Sequence, residues 1–123
     1  MMKLQDFRIT IFILTGVLFL SIFSVYAQTA EKEYYHKGVE CGAQGKFGEA
    51  KECFQNILKI NPFFAQAKLA AEIIEEVFNR KVNKDTAIYI FKGIGCANKE
   101  KFDEAINEFN RAIAAEPNYY RSY

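Results

Sequence analysis

The side chains in this 123-residue chain best suited to chemistry are three thiols and one imidazole: Cys41, Cys53, Cys96 and His36. A zinc site draws its ligands from closely spaced cysteines and histidines, and the chain has neither a Cys-x-x-Cys nor a second histidine. Nucleophilic catalysis needs a base placed against the nucleophile, and no such pairing is apparent in the sequence. Gly93-Ile94-Gly95 is too short for a phosphate-binding loop and falls inside a helical pattern. No metal, no cofactor and no enzymatic activity are expected. The cysteines read as small buried apolar residues, because Cys41 and Cys96 stand among apolar helix positions. A Cys41–Cys53 disulfide fits an oxidising compartment, although spacing does not specify it.

The elements that must position these groups are two copies of one hairpin. Shifting the sequence by 55 brings ten residues into coincidence between 31–64 and 86–119 without a gap. Tyr34 meets Tyr89, Lys37 meets Lys92, Gly38 meets Gly93 and Cys41 meets Cys96. Lys46, Phe47, Glu49 and Ala50 meet Lys101, Phe102, Glu104 and Ala105. Phe54 meets Phe109, and Pro62 meets Pro117. Each copy reads as two helices, about Ala30 to Ala43 and Phe47 to Ile60, then Thr86 to Ala97 and Phe102 to Ala115. Asp85 is the expected N-cap of the third of these. Pro62 and Pro117 mark positions where a helix has already ended, since proline has no N–H to donate. Gly38 with Ala50, and Gly93 with Ala105, are small residues that let two helices approach. Glycine inside a helix costs about 1 kcal/mol relative to alanine, so its repetition calls for a packing reason. Tyr34, Phe47 and Phe54, and likewise Tyr89, Phe102 and Phe109, are expected to fill the space around that contact.

This order of aromatic, glycine, aromatic, alanine, aromatic and proline resembles the tetratricopeptide repeat. Both copies carry all six features. They depart from the pattern at Lys37 and Lys92, where the family usually has leucine, at the two cysteines, and at Ile57, where the second copy has Ala112. The resemblance implies an all-α fold of antiparallel helical hairpins.

Uninterrupted repeats would be offset by 34, so about 21 residues are inserted. The extra helical segment, 65–82, has an amphipathic helix on Ala65 to Phe78, with Leu69, Ile73 and Val77 on one face, and a turn at Asn79 to Asp85. One additional helix reverses the direction of everything after it in an up-down series. The second hairpin is therefore expected to run opposite to the first, giving five helices around one core. Tyr119, Tyr120 and Tyr123 at the end of the chain either cover the open end of the stack, meet a partner, or fray.

Ahead of the hairpins, Lys3 and Arg8 precede a charge-free run from Ile9 to Ala27. Two readings stand. Residues 1–27 are a signal peptide cut after Ala27, leaving 28–123 as the helical domain. Alternatively residues 9–27 are an uncleaved membrane anchor, since nineteen helical residues at ~1.5 Å each span about 28 Å. Both place the remainder outside the cytoplasm, periplasmic or secreted in the first case, because basic residues stay inside. Without Lys3, Arg8 and Asp6 the chain has 14 basic and 14 acidic residues. Such a neutral, mixed surface gives no support to nucleic-acid binding.

In the tetratricopeptide family the first helices of the repeats line a concave groove that takes an extended peptide or a helix. The matching positions are Tyr35, Val39, Gly42, Ile90, Ile94 and Asn98, and the insert would add Leu69 and Ile73. Val39, Ile90 and Ile94 replace the polar residues that clamp a terminal carboxylate in some members, so that specificity is not expected. The groove is either open to a partner protein or filled internally by the insert helix. The functional expectation is a non-catalytic adaptor or scaffold of the cell envelope or secretory space. The alternative is a structural homo-oligomer in which open ends of short arrays bury each other.

Overall fold

A computed structural model describes residues 4–119. Among these, five helices follow in order: α1 (Leu4–Ala43), α2 (Phe47–Ile60), α3 (Ala65–Phe78), α4 (Lys84–Asn98) and α5 (Phe102–Ala115). The chain divides into two compact units, 1–30 and 31–123, and α1 contributes to both.

The first unit is helical because no proline interrupts it and four of its hydroxyls find acceptors within it. Thr10, Thr15, Ser21 and Thr29 each donate to a carbonyl three or four residues earlier. Hydroxyls satisfied in this way tolerate lipid, where an unpaired polar group is costly. Its apolar side chains from Ile9 to Val25 are exposed, and its mean hydropathy reaches 2.3 over an 18-residue window. By length and composition it is apolar enough to cross a membrane, and it is equally compatible with a signal sequence.

The second unit is built from the duplicated hairpins. In the first, the ring of Phe54 occupies the place a side chain on Gly38 would take: a Cβ there would lie 2.7 Å from Phe54 Cε1. In the second, a Cβ on Gly93 would lie 2.5 Å from Phe109 Cε1. The packing reason for both glycines is thus the aromatic ring of the following helix. The turns are also duplicated. After α1, Gly45 takes φ 76, and the Lys46 N–H closes back on the Cys41 carbonyl at 2.9 Å. After α4, Glu100 takes φ 61, and the Lys101 N–H closes on the Cys96 carbonyl at 3.0 Å. The repeated cysteines have a shared role as well. The Cys41 thiol donates to Glu49 at 3.9 Å and the Cys96 thiol to Glu104 at 4.0 Å, tying each first helix to its second.

The insert is the helix α3. It lies antiparallel on α2: near one end the Lys51 ammonium bonds the Glu75 carboxylate and lies 5.6 Å from the centre of the Phe78 ring. Toward the other end Leu58 shares a hollow with Lys68 and Ala71. Ala67, Ala70, Ile73, Ile74 and Val77 of α3 are buried. The reversal that one extra helix imposes is visible where α4 meets α1. Val39 lies 3.6 Å from the Cβ position of Gly95, Gly42 lies beneath the Phe91 ring, and Ile88 reaches Gly45. Rising numbers on α1 meet falling numbers on α4, so the two first helices are antiparallel. Phe91 stacks on Phe54 with ring centres 6.1 Å apart, which joins the hairpins through one core.

One local expectation changes. The N-cap of α4 is Asn83, whose side chain accepts from the Asp85 N–H at 3.1 Å; Asp85 sits in the first turn instead. Asn83 holds extended backbone, as a cap must. Tyr119 is buried and its hydroxyl bonds the Glu76 carboxylate, so this tyrosine covers the end of α3. Tyr120 and Tyr123 lie outside the described residues.

The two copies differ in what covers them. Phe47 is 6% exposed and Phe54 0%, whereas Phe102 is 62% exposed and Phe109 is half-buried. Of the other repeat positions, Gly38, Ala50, Gly93 and Ala105 are buried, Tyr34 and Tyr89 half-buried, and Pro62 and Pro117 exposed.

Candidate partner-binding cleft

Where α1, α4 and α5 meet, they leave an open cleft of about 690 Å³. The α1 wall is His36, Val39, Glu40 and Ala43, spaced so that all four lie on one helical face. Phe91, Gly95, Cys96 and Asn98 come from the facing side of α4, and Lys99, Lys101, Glu104 and Glu108 from the second hairpin's turn and α5. The floor is apolar, because Val39 and Phe91 are buried where α1 and α4 touch. The rim is polar: His36, Glu40, Lys99, Lys101 and Glu104 are all exposed. It carries both signs of charge, with Lys101 3.9 Å from Glu104.

Glu108 is the group in this wall with unmet capacity. Its Oε1 accepts from Arg111 at 3.3 Å, while its Oε2 is buried and has no partner among the described residues. A buried carboxylate oxygen without a donor costs about 1–3 kcal/mol or more, so a ligand that brings an N–H or ammonium recovers that cost. Cys96 also reaches the cleft. Its thiol faces a carboxylate, the opposite of the cationic setting that activates a nucleophilic cysteine. It is half-buried, unlike Cys41 and Cys53, so the expectation of three buried cysteines holds for two. All three are free thiols, with no Cys41–Cys53 bridge. Burial raises the pKa of Cys41 and Cys53, with the Glu49 charge adding to the first and Cys41 to the second.

The residues expected on an open groove divide into two sets. Val39, Gly42, Ile73 and Ile90 are buried and belong to the core. The cause is the reversed second hairpin, which lays α4 against α1 so that Phe91 fills the space under Gly42, while α3 contributes Ile73 to the same core. Tyr35, Ile94, Asn98 and Leu69 keep accessible surface. Tyr35 meets Phe54 edge-on at 6.1 Å and Phe64 at 5.7 Å. Burial raises its hydroxyl pKa, and a hydrogen bond with the Asn98 side chain opposes the rise. Tyr35 and Asn98 thus come together beside the cleft, whereas Leu69, 49% exposed, lies on α3 outside its lining. Sequence reasoning missed His36, Glu40, Lys99 and Glu108. The signal was present on α1, where His36, Glu40 and Ala43 share the helical face of Val39.

Comparison with known proteins gives matches over the same hairpins: the tetratricopeptide repeat family matches residues 31–64 and again residues 87–119. No curated protein and no solved structure matches the chain.

Proposed function

Since the chain belongs to the tetratricopeptide repeat family, whose repeats are protein–protein interaction modules, we propose that it is a non-catalytic adaptor that holds a partner protein's extended segment in the α1–α4–α5 cleft. The observation that carries this reading is the cleft itself, an apolar floor with a polar rim and a buried acceptor that nothing among the described residues satisfies. A partner segment with an apolar side chain for the floor and a lysine or arginine for Glu108 fits that lining. Tyr35, Asn98 and Ile94 extend the same surface. The apolar run from Ile9 to Ala27 supports a place in the cell envelope, anchored in the membrane or released by cleavage near Ala27.

A photo-crosslinking residue at Asn98, compared with one at the exposed Lys59, tests this in the native host. The expected result is one heavier band containing a second protein, formed from Asn98 and not from Lys59. Glu108→Gln should weaken that band while the melting temperature holds or rises. Bands from both positions alike, or a band only at twice the chain mass, would overturn the reading.

A further inference from the structure

The outer face of α5 is an exposed apolar feature of the second unit that the cleft does not use. Phe102 is 62% exposed and Ile106 56%, while Phe109 and Ile113 are half-buried. Spaced by four, three and four, they form one strip along the helix. The duplication shows what covers such a strip. Phe102, Ile106, Phe109 and Ile113 correspond to Phe47, Lys51, Phe54 and Leu58 of α2. Of these, Lys51 and Leu58 meet α3, an antiparallel amphipathic helix, while Phe54 turns toward Gly38 and Phe91. One position differs in kind. Lys51 bonds Glu75 of the covering helix, and Ile106 stands in its place on α5.

We infer that the α5 strip is a docking face for one amphipathic helix of a partner protein, laid antiparallel as α3 lies on α2, with small residues facing the strip and an aliphatic residue opposite Ile106. Two other occupants fit less well. A second copy's α3 would set the Glu75 carboxylate against Ile106, leaving a desolvated charge without its lysine. A second copy's α5 would oppose bulky residues to bulky residues, where α3 offers Ala71 across from Leu58. Close helix packing requires large side chains to enter spaces left by small ones. This face is separate from the cleft, since neither Phe102 nor Ile106 lines it.

The duplication also supplies the probe: a fluorescent peptide of residues 65–79 of this chain carrying Glu75→Leu, beside the unaltered peptide. Each is titrated by fluorescence anisotropy against the full chain in lipid nanodiscs. The altered peptide should bind at least tenfold more tightly. Ile106→Lys should reverse that order, losing the altered peptide and gaining the unaltered one, because it rebuilds the Lys51–Glu75 pair. Ile106 is exposed, so circular dichroism should report an unchanged fold in the variant. Equal binding of the two peptides, or an Ile106→Lys variant that keeps the original order, would overturn the inference. So would sedimentation of the wild-type chain as a dimer that Ile106→Lys dissolves, which would assign the strip to self-association.

Discussion

Gly42→Ala is the sharpest test of how the two hairpins meet. An alanine Cβ at this position would stand 2.5 Å from Cγ of Phe91, 2.6 Å from Cδ2 and 2.8 Å from Cδ1. Carbon atoms settle at about 3.5–4.0 Å, so the ring would have to retreat by about 1 Å. It has nowhere to go. Phe91 is fully buried and stacked on Phe54, and Phe54 already fills the space above Gly38. Overpacking of this kind costs about 1–3 kcal/mol. Alanine returns about 1 kcal/mol through its better helix propensity. The net expectation is a loss of up to about 2 kcal/mol, and a domain of this size loses about 4–8 °C in melting temperature per kcal/mol. The control is Gly48→Ala. Gly48 lies on the exposed side of α2 with no atom within 4 Å of its Cβ position, so the same change there should stabilise, by at most about 1 kcal/mol. Thermal unfolding of the full chain in detergent, followed by far-ultraviolet circular dichroism, reads both. Phe91→Leu should relieve the clash, making the double variant with Gly42→Ala less destabilised than the two single losses combined. A Gly42→Ala protein that melts above the wild type, as the Gly48→Ala control should, would refute the crossing of α1 and α4 at Phe91, and with it the reversed second hairpin.

Three further outcomes follow from the same geometry. Glu100→Gly should raise stability by about 1 kcal/mol in the same melt, because Glu100 holds the left-handed conformation that Gly45 holds without strain in the first copy. Thr86→Val should be neutral or stabilising by up to about 1 kcal/mol in denaturant titration, since the Thr86 hydroxyl is fully buried and unpaired among the described residues. Alkylation of the folded chain, mapped by mass spectrometry, should modify Cys96 well before Cys41 and Cys53. The thiolate is the reactive form and burial raises the pKa of the two buried thiols, so their rates should keep climbing at pH values above the ordinary thiol range; a plateau at neutral pH would contradict that environment.

The hairpins were legible because their determinants are local. Gly38 and Gly93, Phe54 and Phe109, and Pro62 and Pro117 mark helix contacts and ends that lie within one 34-residue copy, and the two copies repeat them in register. The observed α2 and α5 span Phe47–Ile60 and Phe102–Ala115, as the pattern predicts. The helix on Ala65 to Phe78 was equally readable from its apolar face, and counting helices was enough to predict the reversal of the second hairpin. The cap of α4 was not, because Asn83 and Asp85 are both competent caps and only backbone geometry chooses between them.

The site was less legible for a physical reason. The same apolar residue, Val39 or Ile90, suits an open groove and a closed core equally, and composition does not distinguish them. What decides is which helix lies opposite, a contact made between residues some fifty positions apart, such as Gly42 and Phe91. By itself the sequence determined the family and the five helices found among the described residues. Only the tertiary structure decided that α4 closes over α1, that the cleft opens instead beside His36, Glu40 and Glu108, and that α5 keeps a bare face. Periodicity along one helix records that a face is apolar; the identity of its cover depends on chain reversal and packing, which no single segment encodes.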